Sequence, residues 1–133
     1  MENKVLIDSS GWIDFFRESR PKINWQIQQL LKEDRVLICG PIYVEVVGGC
    51  RTEQESYTVS QLYNELSFLE LSREDFYPAS LINQKLRKKG HALKGMDLLI
   101  AYLAIKNNCY LLHNDSDYDR AAHFIPLKIL KLK

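Results

Sequence analysis

The chain has 133 residues, of which 46% are hydrophobic and 26% are charged, an ordinary composition for a globular protein. This length suits a single domain with a core that needs no disulfides or metal, so we expect one domain over residues 1–133. The formal net charge of +1 argues neither for nor against an anionic partner. The chain has no apolar run of membrane-spanning length and no N-terminal signal pattern, which predicts a cytoplasmic protein.

The three cysteines are an odd number and have no Cys-x-x-Cys spacing. Cys39 and Cys109 fall in or beside apolar segments, where a free cysteine acts as a small hydrophobic residue. We therefore predict structural thiols at Cys39, Cys50 and Cys109, with neither a disulfide framework nor a zinc site.

Short apolar runs alternate with helical patterns in the first half of the chain. Val5-Leu6-Ile7 is a continuous apolar run, which is typical of a strand buried on both faces of a parallel sheet. The pattern then predicts, in chain order, a short helix over Trp12–Arg17, an amphipathic helix carrying Ile23, Ile27, Leu30 and Leu31, a strand over Val36–Cys39, and a helix that begins at Gly40-Pro41 and ends at Gly48-Gly49.

The second half continues the alternation. Thr52 and Glu55 have the spacing of a capping box before an apolar helical stripe over Val59–Leu66. The later elements are a weak strand over Phe68–Leu71, a helix over Glu74–Lys88, an apolar helix over Met96–Lys106, a strand over Tyr110–Leu112, a helical turn to Ala122 and an edge strand around Leu127 and Ile129. This alternation predicts an α/β protein, a single three-layer α/β/α sandwich with a central parallel sheet.

Five acidic residues occupy comparable positions in this arrangement. Asp8 ends the first strand, Glu45 lies in the helix after the second, Asp97 opens the apolar helix, and Asp115 and Asp117 follow the fourth strand. Each has a simpler interpretation as a helix cap, a turn former or a solvated helix residue. Together, however, they are expected at one edge of the sheet, because the carboxyl ends of parallel strands share an edge.

Several carboxylates in one cleft repel one another unless a cation neutralises them. A set of oxygen ligands favours Mg²⁺ or Mn²⁺ over zinc. Such a cation suits phosphoryl chemistry, since it can bind a phosphate oxygen and lower the pKa of an attacking water.

The chain resembles the PIN-domain nucleases, specifically the VapC-type toxins of toxin–antitoxin pairs. The resemblance covers nearly the whole chain and depends on four blocks. They are Leu6 to Asp14, the Glu45 helix after Gly40-Pro41, Asp97-Leu98-Leu99-Ile100-Ala101 with Ala104, and Leu111 to Tyr118.

The resemblance implies a PIN-like fold and a catalytic metal site at Asp8, Glu45, Asp97 and Asp115, with Asp117 as an auxiliary acid. A small polar residue of the site corresponds to Ser9 or Ser10. The implied activity is Mg²⁺- or Mn²⁺-dependent endoribonuclease cleavage of RNA, and the implied partners are a VapB-type antitoxin and a second copy of the toxin in a homodimer.

The chain departs from the family pattern at two positions. His113 stands where the family commonly has threonine, and we interpret it as a structural histidine at the strand end, the alternative being a contact to phosphate or water. Tyr118 replaces phenylalanine, which on sequence grounds is a mild change.

Several surface features complete the prediction. Five residues before Asp97 could contact RNA phosphates or simply form a solvated helix end: Arg87, Lys88, Lys89, His91 and Lys94. Trp12 and Tyr43 could stack on bases or pack in the core. The apolar stripes Ile23–Leu31 and Val59–Leu66 are the expected antitoxin-docking groove.

Two other functions are weighed. A phosphoryl-accepting receiver domain also gathers aspartates at strand ends, but it has adjacent acids after its first strand, where this chain has serines after Asp8. A catalytically inactive PIN domain used only for binding is the other alternative, and the full set of acids argues against it.

Overall fold

The secondary structure of a computed structural model, which describes residues 3–131, alternates strands and helices as predicted. The elements are β1 Val5–Ile7, α1 Ser9–Arg17, α2 Pro21–Lys32, β2 Val36–Cys39, α3 Gly40–Gly48, α4 Glu53–Asn64, β3 Ser67–Leu69, a 3-10 turn Arg73–Asp75, α5 Phe76–Lys88, α6 Gly95–Lys106, β4 Tyr110–Leu112, α7 Ser116–Ala121 and β5 Lys128–Ile129.

The five strands form one sheet in the order β3-β2-β1-β4-β5, and all neighbouring pairs are parallel. The chain therefore builds outward from β1 to β3 and then returns to the other side of β1. This reversal lies between β1 and β4, where parallel α/β sheets open a crevice at their carboxyl edge. The predicted α/β architecture with a central parallel sheet is confirmed, with seven helices flanking the sheet.

The core explains why the apolar runs became strands. Val5, Leu6 and Ile7 are fully buried, as β1 is the central strand with a partner on each side. Helix α6 is apolar on nearly every side, and its buried residues pack it among the other core elements. Of the acids predicted to form the site, Asp8 follows this buried central strand, and Asp115 and Asp117 follow β4 beside it.

Helix α1 begins at Ser9, three residues earlier than predicted, so that it follows β1 with only Asp8 between them. Gly11 permits this tight turn, because a Cβ there would lie 3.0 Å from Ile7 Cγ2 and 3.6 Å from Leu112 O. The Asp8 backbone N–H also donates to Leu112 O at 2.9 Å. These contacts fix Asp8 at the junction of β1 and β4.

The capping box predicted at α4 forms only in part. Thr52 Oγ1 accepts from the Glu55 N–H at 3.1 Å, but the Glu55 carboxylate accepts from the Arg51 N–H at 3.0 Å instead of returning to Thr52. The helix predicted from Glu74 starts as a 3-10 turn and becomes α-helical at Phe76.

The stripes expected to form an antitoxin groove belong to the core. Ile23, Ile27 and Val59 are buried, with exposures of 0%, 0% and 7%, as are Leu30 and Tyr63. An amphipathic helix buries its apolar face against its own sheet first, so the prediction of a docking groove on Ile23–Leu31 is wrong. Of the second stripe, Val59 also lines an accessible groove beside α4.

The three cysteines are free, and two of them are buried. Burial raises the pKa of the Cys39 thiol to about 12 and that of Cys109 to about 11. Both are therefore protonated at neutral pH, in agreement with structural thiols. Among the described residues, no helix is both long and apolar enough to cross a membrane.

Candidate metal centre

Three acids from separate parts of the chain meet at the carboxyl edge of the sheet. Asp8 follows β1, Glu45 lies in α3, and Asp97 lies in the first turn of α6. Each offers one carboxylate oxygen, and these oxygens all lie within 4.8 Å of one another. The sequence therefore predicted correctly that these three residues converge.

Asp8 has a structural role as well as a place in the cluster. It is the N-cap of α1 and is only 3% exposed. Its Oδ2 accepts from the Ser10 hydroxyl at 2.8 Å, and the same hydroxyl accepts from the Asn114 N–H at 2.9 Å. The cap interpretation and the cluster interpretation of Asp8 thus both hold, and Ser10 connects Asp8 to the loop after β4.

Ser9 supports a different member of the cluster, since its hydroxyl donates to Glu45 Oε1 at 3.3 Å. The sequence left open whether Ser9 or Ser10 assists the site. Both contact it, each through its own carboxylate.

The electrostatic environment of the cluster disfavours the ionised form of two of its acids. Burial, together with the nearby Asp8 and Asp97 carboxylates, raises the pKa of Glu45 above its usual value. Burial and the Asp8 carboxylate likewise raise the pKa of Asp97. Within residues 3–131, none of the three acids forms an ion pair with a lysine or arginine. The cluster is therefore a group of like charges that no lysine or arginine of residues 3–131 contacts.

Tyr118 is a component of the site that sequence reasoning missed. It is fully buried, and its hydroxyl lies 3.1 Å from Asp8 Oδ1 and 3.1 Å from Asp97 Oδ1. Burial and the two carboxylates raise its pKa, so the hydroxyl stays protonated and available as a donor. The one available signal was the tyrosine at a position where the family commonly has phenylalanine.

Asp115 and Asp117 lie outside the group of three. Asp115 is the N-cap of α7 and accepts from the Asp117 N–H at 2.9 Å, as a turn former does. It is nevertheless close enough to contribute to the raised pKa of Asp97. The Asp117 carboxylate forms an ion pair with Arg120.

His113 has contacts on both ring nitrogens. Nδ1 accepts from the Asp115 N–H at 2.9 Å, and Nε2 lies 3.1 Å from Asp119 Oδ1, so the proton of the neutral ring is assigned to Nε2. The ring also packs against Tyr118, with centroids 5.0 Å apart. These contacts hold the β4–α7 loop, which agrees with the structural interpretation.

The predicted RNA-contacting residues differ in their relation to the cluster. Lys94 is exposed at the N-cap of α6, and its charge is near enough to offset a small part of the rise in the pKa of Asp97. His91 stacks on Phe124, with centroids 5.1 Å apart. Trp12 is fully buried and cannot stack on a base, whereas Tyr43 packs partly buried against Tyr63.

A groove of about 590 Å³ begins at Glu45 and runs between α1, α3 and α4. Its lining is mixed, with apolar side chains such as Ile13 and Phe16 beside charged ones such as Arg17 and Arg51. Ile13 and Phe16 are 37% and 40% exposed. The groove is therefore an accessible, partly apolar surface that reaches the acid cluster.

The donor set of the cluster fits a hard divalent cation. It consists of carboxylate oxygens, which Mg²⁺ and Mn²⁺ prefer, and it includes neither histidine nor cysteine.

An all-parallel sheet with an acid cluster at its point of reversal is the arrangement expected of an α/β protein of the PIN class. The PIN-domain sequence model matches residues 5–124, and the chain belongs to the PIN-domain family.

Relatives with assigned names agree with this membership. The chain is 31% identical over 128 residues to ribonuclease VapC11 of Mycobacterium tuberculosis, covering 93% of this chain and 96% of the relative. It is 28% identical over 125 residues to ribonuclease VapC1 of Methanocaldococcus jannaschii, covering 92% and 85%.

The fold also matches a solved structure of a complex. The VapBC2 structure from Rickettsia felis, bound to a DNA fragment from its promoter, aligns with a TM-score of 0.78 at 16% identity and covers 97% of this chain and 98% of that one. At this level of identity, the match supports the fold.

Proposed function

We propose that this chain is a metal-dependent endoribonuclease and the toxin of a VapBC-type toxin–antitoxin pair. One observation carries the proposal, namely that Asp8, Glu45 and Asp97 bring carboxylate oxygens within 4.8 Å of one another without a counter-cation in contact among the described residues. Relatives named as VapC ribonucleases along almost the full length support the reaction class.

In this proposal Asp8, Glu45 and Asp97 hold Mg²⁺ or Mn²⁺, with Asp115 as a fourth acid and Asp117 as an auxiliary one. A bound cation supplies positive charge to the phosphodiester and to an attacking water. The protein side orients these ligands: Ser10 and Tyr118 hold Asp8, and Ser9 holds Glu45. The exposed Lys94 supplies a positive charge that can attract the RNA backbone beside the acids.

Carboxylate removal tests this assignment. Asp97→Asn and Glu45→Gln should lower the rate of RNA cleavage by at least about 100-fold, as expected when transition-state charge stabilisation is lost. Glu70→Gln is the matched control, because Glu70 is exposed and outside the cluster. A chelator should stop cleavage by the wild type, and Mn²⁺ should restore it. Cleavage by Asp97→Asn at the wild-type rate, or full activity in excess chelator, would overturn the proposal.

The proposed partner is a VapB-type antitoxin that docks in the groove from α1 to α4, because an occupant of this groove reaches Glu45 and covers the acids. VapBC complexes among the structures of the same fold support a partner of this kind. We expect a short open reading frame immediately upstream of the gene for this chain to encode the antitoxin.

A charge placed in the groove tests the docking site. Ile13→Glu should weaken binding of the adjacent antitoxin, measured by calorimetry, while Trp25→Glu should not. Trp25 is a suitable control because it is 61% exposed and lies on α2, outside the groove. Equal binding by both variants would move the docking site elsewhere. The homodimer remains a prediction, which sedimentation of the isolated chain can check.

A further inference from the structure

The hydroxyl of Tyr118 occupies a position between two acids that no other described side chain fills. Its oxygen is equally distant, 3.1 Å, from Asp8 Oδ1 and Asp97 Oδ1. One acid follows the central strand and the other opens α6, so this single atom connects two elements that are far apart in sequence.

Packing fixes where this hydroxyl points. Tyr118 is fully buried in α7, and its ring lies against the His113 ring at a tilt of 54°. His113 is held in turn by the Asp115 N–H. Since the ring is packed on its sides, the hydroxyl position is determined by the β4–α7 segment and not by the acids.

The two acids depend on Tyr118 to different extents. Asp8 also accepts from Ser10. For Asp97, the Tyr118 hydroxyl is the only hydrogen-bond donor among residues 3–131 that contacts its side chain. Without it, no hydrogen bond from the described residues orients the Asp97 carboxylate, which the Asp8 carboxylate repels. A phenylalanine would fill the same core volume but would leave Asp97 in that state.

We propose that Tyr118 is a positioning residue whose hydroxyl shares its one proton between the Asp8 and Asp97 carboxylates and so holds them together as ligands for the divalent cation. This inference rests on the proposed function and adds a component to it. Ligating carboxylates are ordinarily oriented by hydrogen bonds from neighbouring groups, and losing such a group weakens metal binding. If Tyr118 only filled the core, removing its hydroxyl would leave the affinity for the cation unchanged.

Mn²⁺ binding to the full chain tests this proposal directly. Tyr118→Phe should weaken Mn²⁺ binding in calorimetry by about 10-fold, the lower end of the range for groups that orient metal ligands. Tyr63→Phe is the matched control, because Tyr63 is equally buried and its hydroxyl has no hydrogen-bond partner among the described residues. Its Mn²⁺ affinity should equal that of the wild type.

A second readout separates positioning from damage to the fold. RNA cleavage by Tyr118→Phe should be slow at low Mn²⁺ and should approach the wild-type rate when Mn²⁺ is raised about 10-fold, to match the weaker binding. A variant with a damaged core is not rescued by the cation.

Unchanged Mn²⁺ affinity of Tyr118→Phe, or an equal loss in Tyr63→Phe, overturns the proposal. If Asp97→Asn loses Mn²⁺ binding in the same series, the metal site itself still stands; if Asp97→Asn binds normally, the proposed function fails instead.

If Tyr118→Phe does not fold, an NMR experiment on the wild-type chain tests the proposal. Titration with Mg²⁺ should shift the NMR signal of the Tyr118 ring carbon that bears the hydroxyl, and a signal that stays fixed through saturation overturns the inference.

Discussion

Helix α6 contributes to two groups of acids that differ in how their charge is balanced. At its start, Asp97 faces Asp8 and Glu45. Further along, Tyr102 and Lys106 reach Asp75, which precedes α5. Both groups include a nearly inaccessible aspartate, since Asp8 is 3% exposed and Asp75 is 2% exposed.

Neighbouring residues of the chain balance the charge of Asp75 and supply its hydrogen bonds. Its carboxylate accepts from Lys106 Nζ at 2.6 Å, from the Tyr102 hydroxyl at 2.6 Å and from the Ser72 N–H at 2.7 Å. The Lys106 ammonium, followed by these hydrogen bonds, holds the pKa of Asp75 well below its usual range. Asp75 is therefore a charged residue whose function in the described chain is structural.

The Asp97 group shows the opposite balance, because burial and neighbouring carboxylates raise the pKa of Asp97 and Glu45. A buried aspartate by itself therefore does not identify a metal site. What distinguishes the two groups is a contacting cation: Lys106 contacts Asp75, whereas no lysine or arginine in the described part of the chain contacts Asp97. This difference favours an external cation at the second group.

The largest expected effect on stability comes from Asp75→Asn. The substitution leaves Lys106 without its anionic partner and should lower the melting temperature by more than about 5 °C. Because the pKa of Asp75 is lowered by folding, its contribution is fully present above the ordinary carboxyl pKa. It is lost only as the pH falls through the lowered folded value. Thermal unfolding at neutral and strongly acidic pH measures this difference.

Glu70→Gln serves as the control for Asp75→Asn, since it removes an exposed carboxylate without a contact among those described. A similar melting temperature for both variants would mean that the Asp75 group contributes nothing to stability, and the contrast between the two groups would then be lost.

The sequence predicted much of this fold because its strongest signals are local. The apolar runs at Val5–Ile7 and Val36–Cys39 and the apolar helix after Asp97 have no alternative to burial. Once parallel strands are expected, their shared carboxyl edge brings together Asp8 and Glu45, each of which closely follows a strand. Asp97 opens α6, which follows helix α5, so its place in the cluster depends on how α6 packs. These predictions agree with the structure.

The sequence did not reveal features that depend on the contact of distant side chains. Asp75 lies in Ser72-Arg73-Glu74-Asp75, which looks like an ordinary helix start, and its partners come from another helix. The contacts of the Tyr118 hydroxyl are equally hidden, because the sequence shows only a tyrosine where the family commonly has phenylalanine. The prediction of a docking groove on Ile23–Leu31 was wrong for a related reason, since an apolar helix face does not show whether it packs on its own core or binds a partner.

Adding a cation should have the next largest effect. We expect Mn²⁺ to give Asp97 the contacting positive charge that Lys106 gives Asp75. A free Mn²⁺ concentration of about 100 times the dissociation constant should then raise the free energy of unfolding by about 2.7 kcal/mol. Urea unfolding with and without Mn²⁺ measures this gain. Asp97→Asn should show little of it, whereas Glu70→Gln should show all of it. An equal gain in Asp97→Asn would mean that Mn²⁺ binds elsewhere on the chain.

The smallest expected effect is a gain in stability when a charge is removed from the metal-free cluster. Asp97→Asn keeps the shape of the side chain and an oxygen that can accept from Tyr118, but it removes the repulsion by Asp8. We expect a gain of up to about 1 kcal/mol in chelator at neutral pH, the range for partly exposed charge pairs.

The sign of its pH dependence is opposite to that of Asp75→Asn. The pKa of Asp97 is raised in the folded state, so the folded protein binds more protons than the unfolded one between the ordinary and the raised value. Stability of the metal-free wild type therefore falls as the pH rises through this window, and the advantage of Asp97→Asn should appear there and vanish below it. Urea unfolding across this range measures the advantage. A loss of stability comparable with that of Asp75→Asn would instead make Asp97 a structural acid, and the external cation would no longer be needed to explain the cluster.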